Sequence, residues 1–253
     1  MKCIQIVFSP TGGTGRVAAI VSKGLAGDME RIDLTDSKAD FSRASFDAED
    51  VVVIAVPSFG GRVPSVAVHR LQELNGNGAK AVIVCVYGNR AYEDTLVELQ
   101  DIAEQAGFCV VAAIAAIAEH SIMHQYATGR PDMEDRKQLA DYSSQILAKL
   151  ESGTVTKLSI PGNRPYRKAG GAGLVPKTKK SCNNCGLCAE QCPVGAISKE
   201  NAVLVDKKTC ISCMRCVVNC PQKAKVLNGT MVRAASLALK KACSVQKKCE
   251  LYI

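Results

Sequence analysis

Two runs of cysteine constrain this chain more than any other feature. The first reads Cys182-x2-Cys185-x2-Cys188-x3-Cys192-Pro193, and the second repeats it as Cys210-x2-Cys213-x2-Cys216-x3-Cys220-Pro221. Three cysteines at x2 intervals make a tight loop that wraps one side of a bound group, with Gly186 permitting close backbone approach. The fourth cysteine lies beyond a further turn of chain, and the proline after it turns the chain away. Eight of the thirteen cysteines fall in these runs. A disulfide framework is not expected. The apolar run at residues 3–8 is shorter than that of a signal peptide and meets Ser9 and Pro10 instead of a cleavage-like tail. The longest apolar run, residues 108–118, is about half the ~20 residues that span a bilayer. The expected setting is therefore the cytoplasm, where closely spaced cysteines are metal ligands or core thiols. Structural zinc uses C-x2-C pairs, but as two pairs separated by a longer gap. Three consecutive x2 intervals, doubled, do not fit four-coordinate zinc.

The doubled run resembles the signature of two-cluster bacterial ferredoxins. The resemblance implies two [4Fe-4S] clusters and a crossed ligand set, because the fourth cysteine of such a run ligates the other cluster. Cys182, Cys185, Cys188 and Cys220 are then expected to hold one cluster, and Cys210, Cys213, Cys216 and Cys192 the other. Charge is unevenly divided. Residues 177–253 carry 14 Lys and Arg against 4 Asp and Glu, while the rest of the chain carries 18 against 20. Arg215 lies inside the second loop, and Lys179, Lys180, Lys207 and Lys208 precede the two loops. A basic segment often signals nucleic acid, but aromatic residues for base stacking are nearly absent there. A solvated basic surface is one reading and docking of an acidic redox carrier or reductase the other, with no nucleic acid and no membrane insertion expected.

The first ~150 residues read as α/β. Residues 3–8, 30–34, 51–56, 81–86 and 109–117 are strand candidates, and residues 51–56 are continuous and β-branched, as in a strand buried on both faces. Residues 14–25, 64–74, 92–106 and 132–150 have helical periodicity. Five strands in so short a segment suit a doubly wound parallel sheet of flavodoxin-like order 2-1-3-4-5. With aromatics at 4% and no Trp, the core must be aliphatic. Residues 161–176 are rich in Pro and Gly and read as a linker or a surface-hugging strap. The expected organisation is a flavodoxin-like domain at 1–152, a linker at 153–176, an α+β ferredoxin domain at 177–229 and a helical tail at 230–253.

Ligands of such sheets bind at the C-terminal ends of the strands. The first strand runs into Ser9, Pro10, Thr11, Gly12, Gly13 and Thr14, a hydroxyl- and glycine-rich turn at a helix start that suits a phosphate. It lacks the Gly-Lys-Ser/Thr of a Walker loop, and plain helix capping is the alternative. The third strand ends in Pro57, Ser58, Phe59 and Gly60, and the fourth in Tyr87, Gly88, Asn89 and Arg90, with Tyr92 close by. Aromatic faces there could stack on a flat ring system, and Asn89 could bond its edge. The alternative is ordinary turns with two Tyr covering a sheet end. Glu119, His120 and Ser121 follow the fifth strand, and His120 is as readily a surface histidine as a cofactor neighbour. Pro131 and Asp132 are expected to start the last helix. Cys3, Cys85 and Cys109 read as buried thiols, while Cys243 and Cys249 have no role beyond packing.

Taken together, FSPTGGT, PSFGGRVP, YGNRAYED, EHS with GRPD, PGNRPYR and the two cysteine runs resemble the fused flavodoxin-like and ferredoxin proteins of anaerobic bacteria. The resemblance implies FMN as a second cofactor, its phosphate on the S/T-x-T-G-x-T loop, and a role in electron transfer. Many flavodoxins have Asn where Gly13 stands, so one side-chain contact near the phosphate is missing here. A relay between FMN and the two clusters is the leading expectation. A flavin-dependent reductase of a small substrate is one alternative, and an iron–sulfur protein with an empty flavodoxin-like domain is another.

Overall fold

The structure, a computed structural model, describes residues 2–26, 29–153, 158–170 and 173–253. Five parallel strands, β1 (Cys3–Val7), β2 (Met29–Asp33), β3 (Val51–Pro57), β4 (Lys80–Tyr87) and β5 (Cys109–Ile117), alternate with α1 (Gly13–Leu25), α2 (Ser65–Gln72), α3 (Thr95–Gln105) and α4 (Met133–Ser152). The sheet order is β2-β1-β3-β4-β5, extended at its far edge by a sixth strand. That is the expected flavodoxin-like order. The apolar runs of β3, β4 and β5 follow from burial on both faces. Ile54, Ile83, Leu71, Leu96 and Leu99 fill one core, under α2 and α3. Val53, Val84, Ile114, Val17, Val21, Leu139 and Ile146 fill the other, under α1 and α4. The start of α4 is fixed as expected. Asp132 accepts from the Asp135 N–H, and the Asp135 carboxylate accepts in return from the Asp132 N–H, a capping box.

The cysteine-rich segment is small and built on short elements: β6 (Lys177–Thr178), α5 (Leu187–Glu190), α6 (Arg215–Val218) and β7 (Lys225–Val226). β6 and β7 pair antiparallel, and a second antiparallel bridge joins Ile197 to Val205. Then α7 (Gly229–Cys243) begins on Asn228, whose side chain accepts from Thr230 and Met231.

The tail corrects the expectation of a helical end. After α7 the chain returns to the large sheet as β8 (Glu250–Tyr252), antiparallel to β5 and in register Ala113↔Tyr252, Ile114↔Leu251 and Ala115↔Glu250. It covers part of an edge that would otherwise leave backbone groups unpaired. A three-residue strand has too little periodicity to stand out in a sequence. Cys243 and Cys249 are buried in this return, and the Cys249 carbonyl accepts from Tyr142 Oη at 2.8 Å.

Residues 158–170 hug the surface instead of spanning a gap. The Asn163 N–H and Nδ2 donate to Asp94 Oδ1 at 2.8 and 3.0 Å, and the Arg167 N–H donates to Asp94 Oδ2 at 2.7 Å. Arg164 forks onto Asp101 at 2.8 and 2.6 Å. Gly162 is required by this contact: at φ 142° a Cβ would stand 2.3 Å from Val97 Cγ1. Residues 154–157 and 171–172 of the expected linker lie outside the described residues.

Candidate functional site

The two cysteine runs form two small cavities. One is lined by Cys182, Cys185, Cys188 and Cys220, the other by Cys210, Cys213, Cys216 and Cys192. The sequence repeat maps one onto the other. A shift of 28 positions (Cys182 to Cys210) carries eleven lining residues of the first cavity onto eleven of the second. The backbone repeats too. Asn184 and its mate Ser212 have φ of 56° and 55°, and Gly186 and its mate Met214 have 76° and 63°. Left-handed residues are costly unless Gly or Asn, yet they recur here because they turn backbone N–H groups toward sulfur. The Asn184 N–H lies 3.4 Å from Cys182 Sγ, Ala196 N–H 3.3 Å from Cys192 Sγ, and Ala224 N–H 3.2 Å from Cys220 Sγ. Such donors favour thiolates. Burial works the other way, pushing the Cys213 thiol to about 11 and Cys216 to about 12. Ligation by thiolate must therefore release protons, and nearby cations ease that cost.

The donor set fits an iron–sulfur cube. Arg215 Nε, beside the second cavity, is a buried donor with no partner among the described residues, as expected of a group that faces a bound anion. In addition, no three His, Cys, Asp or Glu side chains among the described residues converge on a single-ion site. Four cysteines line each of the two cavities.

A larger cavity of about 480 Å³ opens at the C-terminal ends of β1, β3, β4 and β5, within the ~300–1,000 Å³ of ordinary cofactor sites. Ten of the expected residues line it: Thr11, Gly13, Thr14, Pro57, Ser58, Phe59, Gly60, Tyr87, Gly88 and Arg90. Thr11 and Thr14 stand at the start of α1, where the first N–H groups have no intrahelical partner. The third-strand loop is held rigidly. Arg62 forks onto buried Glu98 at 2.7 and 2.6 Å, and Glu98 also accepts from the Val63 N–H at 2.8 Å. Phe59 meets Phe8 edge-on at 6.5 Å. His120 lines the cavity as well. Its Nδ1 accepts from the Ile122 and Met123 N–H groups, each at 3.2 Å. Burial, with the charges of His124 and Arg90, holds its pKa below the usual histidine value. The ring is thus neutral near pH 7, and this bonding pattern assigns its proton to Nε2.

Four expected residues do not line this cavity. Ser9 turns its Oγ to the Gly15 N–H at 2.8 Å and serves as a helix cap. Gly12 is the left-handed residue before α1. Asn89 is buried and committed elsewhere: its Nδ2 donates to the carbonyls of Cys243 and Val245 at 2.7 and 2.9 Å, and its Oδ1 accepts from the Lys247 N–H at 3.2 Å. Tyr92 packs on Tyr87 at 5.3 Å and spends its hydroxyl on Glu250 and Tyr252. Both residues anchor the returning tail, which the sequence alone did not place beside them.

Other lining residues were not anticipated. Arg167, Gly170 and Leu174 come from the strap, and Ala235, Ala238 and Leu239 from α7. The i, i+3, i+4 spacing on α7 marks an apolar face but does not say what it covers. Tyr126 Oη donates to the Ser236 carbonyl at 2.8 Å and ties α7 down over the cavity. Most consequential are Ile211, Ser212 and Cys213, from the second cysteine loop.

Residues 181–225 match the family of 4Fe-4S dicluster domains. None of the curated proteins matches the chain. Among solved structures, a flavodoxin of Streptococcus pneumonia TIGR4 is similar at 21% identity and TM-score 0.42, covering 58% of this chain and 99% of the flavodoxin. Flavodoxin 1 of Bacillus cereus is similar at 14% and 0.41, covering 58% and 98%. A Fusobacterium nucleatum flavodoxin bound to flavin mononucleotide is similar at 17% and 0.40, covering 59% and 99%. The strand order and the matched segment define the class: a flavodoxin-like α/β fold joined to a 4Fe-4S dicluster domain. Among the described residues no helix is long and apolar enough to cross a membrane.

Proposed function

We propose that the chain relays electrons between FMN, seated in the cavity at the strand ends, and two [4Fe-4S] clusters held by Cys182, Cys185, Cys188 with Cys220 and by Cys210, Cys213, Cys216 with Cys192. Bound FMN exchanges two electrons and each cluster one, so together they connect two-electron and one-electron partners. The chain's own groups supply position and electrostatics. Thr11 and Thr14 offer hydroxyls, and the start of α1 its N–H groups, to a phosphate. Phe59 and Tyr87 bound the space for a ring system, and His120 offers a neutral N–H donor. The strap and α7 restrict water. The observation that carries the reading is that Ile211, Ser212 and Cys213, part of a loop that lines a cysteine cavity, also line the larger cavity. The cluster held by Cys210, Cys213, Cys216 and Cys192 is thus the inner one, next to the flavin, and the other is the outer one.

An acidic carrier fits as the partner. Cys185 is exposed at the outer cavity, and Lys179, Lys180, Lys207 and Lys208 are all exposed. A cytoplasmic setting suits thirteen cysteines that all remain free of disulfides. Oxygen-free reconstitution, with iron and sulfide counting and flavin extraction, tests the reading. About eight irons and one FMN per chain are expected. Far fewer irons, or zinc in their place, overturns the cluster assignment. Full iron with no retained flavin overturns the relay and leaves an iron–sulfur protein with an empty flavodoxin-like part.

A further inference from the structure

The two cysteine cavities are related by the 28-residue shift, so residues at matched positions show where they differ. Six of the eleven pairs keep the same residue: four cysteines, a proline and an alanine. Ile197 and Lys225 do not. Ile197 is an apolar side chain, 5% exposed, that lines the inner cavity. Its mate Lys225 lines the outer cavity and is only 2% exposed. Its Nζ donates to Thr178 Oγ1 at 2.9 Å and to the Ala202 carbonyl at 2.5 Å. Among the described residues no carboxylate pairs with it. A buried cation with only neutral acceptors is costly unless a negative group lies near. Lys225 lines the outer cavity together with Cys182, Cys185, Cys188 and Cys220.

We propose that the Lys225 ammonium raises the reduction potential of the outer cluster, the one held by Cys182, Cys185, Cys188 and Cys220, and so draws electrons from the flavin side toward the exposed end of the chain. One-electron reduction makes a cluster one charge more negative. A fixed positive charge in a poorly hydrated site stabilises that reduced form most, because little water screens it. The inner cluster has its own cation, Arg215, whose mate across the repeat is Leu187. Arg215 is partly exposed, so solvent weakens its effect relative to that of Lys225. The electron that leaves the inner cluster is the one gained by the outer cluster, with no proton or bond change required. The inference rests on the cluster assignment above.

The test is an EPR-monitored redox titration of the oxygen-free holoprotein with dithionite as reductant, on wild type, Lys225→Met and Arg215→Leu. Lys225→Met is expected to lower one of the two one-electron waves by at least tenfold in its equilibrium constant, 59 mV for such a couple. Arg215→Leu is expected to shift the other wave, and by less. Lys225→Arg, which keeps the charge, is expected to hold both waves near the wild-type positions. If Lys225→Met loses iron, Lys225→Gln replaces it with a neutral head that can still hydrogen-bond. Unshifted waves at full iron content overturn the inference, as does a shift of the same wave by both Lys225→Met and Arg215→Leu. A wild-type protein that never holds about eight irons sinks the cluster assignment instead.

Discussion

Asn89→Ala tests the anchoring of the returning tail. Asn89 holds the returning tail by three hydrogen bonds, to the Cys243 carbonyl, the Val245 carbonyl and the Lys247 N–H, at 2.7, 2.9 and 3.2 Å. At about 1 kcal/mol each, their loss costs ~3 kcal/mol. Asn89 also has φ 65°, a region where alanine costs roughly 1 kcal/mol more. The tail should open locally, because the freed carbonyls and N–H then reach water instead of staying buried and unpaired. Each 1.4 kcal/mol is tenfold, so the open fraction should rise about 100-fold or more. Amide exchange over residues 245–252 in the reconstituted protein reads this directly, and trypsin cleavage at Lys247 and Lys248 should speed up in parallel. Exchange within about threefold of wild type would refute the reasoning. If instead the tail stays protected and only FMN retention falls, Asn89 serves the flavin and the anchoring account is wrong.

Three further outcomes are expected. Cys220→Ser should remove the outer cluster's EPR signal and Cys192→Ser the inner one's; an uncrossed pattern, each serine disabling the cluster of its own run, would reverse the ligand assignment. Thr14→Val should weaken FMN retention about tenfold by removing one hydroxyl donor worth ~1 kcal/mol or more to a charged group, read by flavin fluorescence on dilution, and unchanged retention argues against a phosphate at this turn. Asp135→Asn should cost about 3 kcal/mol at pH 7, because it removes the buried negative charge that faces the Arg130 guanidinium. Burial opposes ionisation of Asp135, yet Arg130 and the Asp132 N–H hold its carboxyl below the ordinary value. The stabilisation is therefore present above the unfolded carboxyl value near pH 4 and lost as pH falls through the lower folded value. The gap in urea midpoint between wild type and variant should close in that acid range, and a gap that stays constant would contradict it.

Much of this protein was legible before any tertiary contact was known. Val51–Pro57, Lys80–Tyr87 and Cys109–Ile117 are strands because β-branched and small apolar residues run without interruption, and only a strand covered on both faces demands that pattern. The cysteine spacing declares a polynuclear site, because sulfur ligands in a tight loop leave few other uses. Glycine-rich turns at strand ends follow from the α/β plan, in which those turns face the ligand.

Nothing local marks the rest. Glu250–Tyr252 becomes a strand only because β5 offers an open edge. Asn89 and Tyr92 have the chemistry to meet a ring system, and contacts from residues more than 150 positions away claim them instead. Lys225 reads as one more basic residue in a basic segment. Only folding puts it in the interior, matched to Ile197 in the repeat and lining a cavity with four cysteines. Periodicity and spacing travel with the chain because they reflect neighbours a few residues apart. Burial, charge pairing and the meeting of two loops depend on which distant segments pack together, and three-dimensional packing alone decides that.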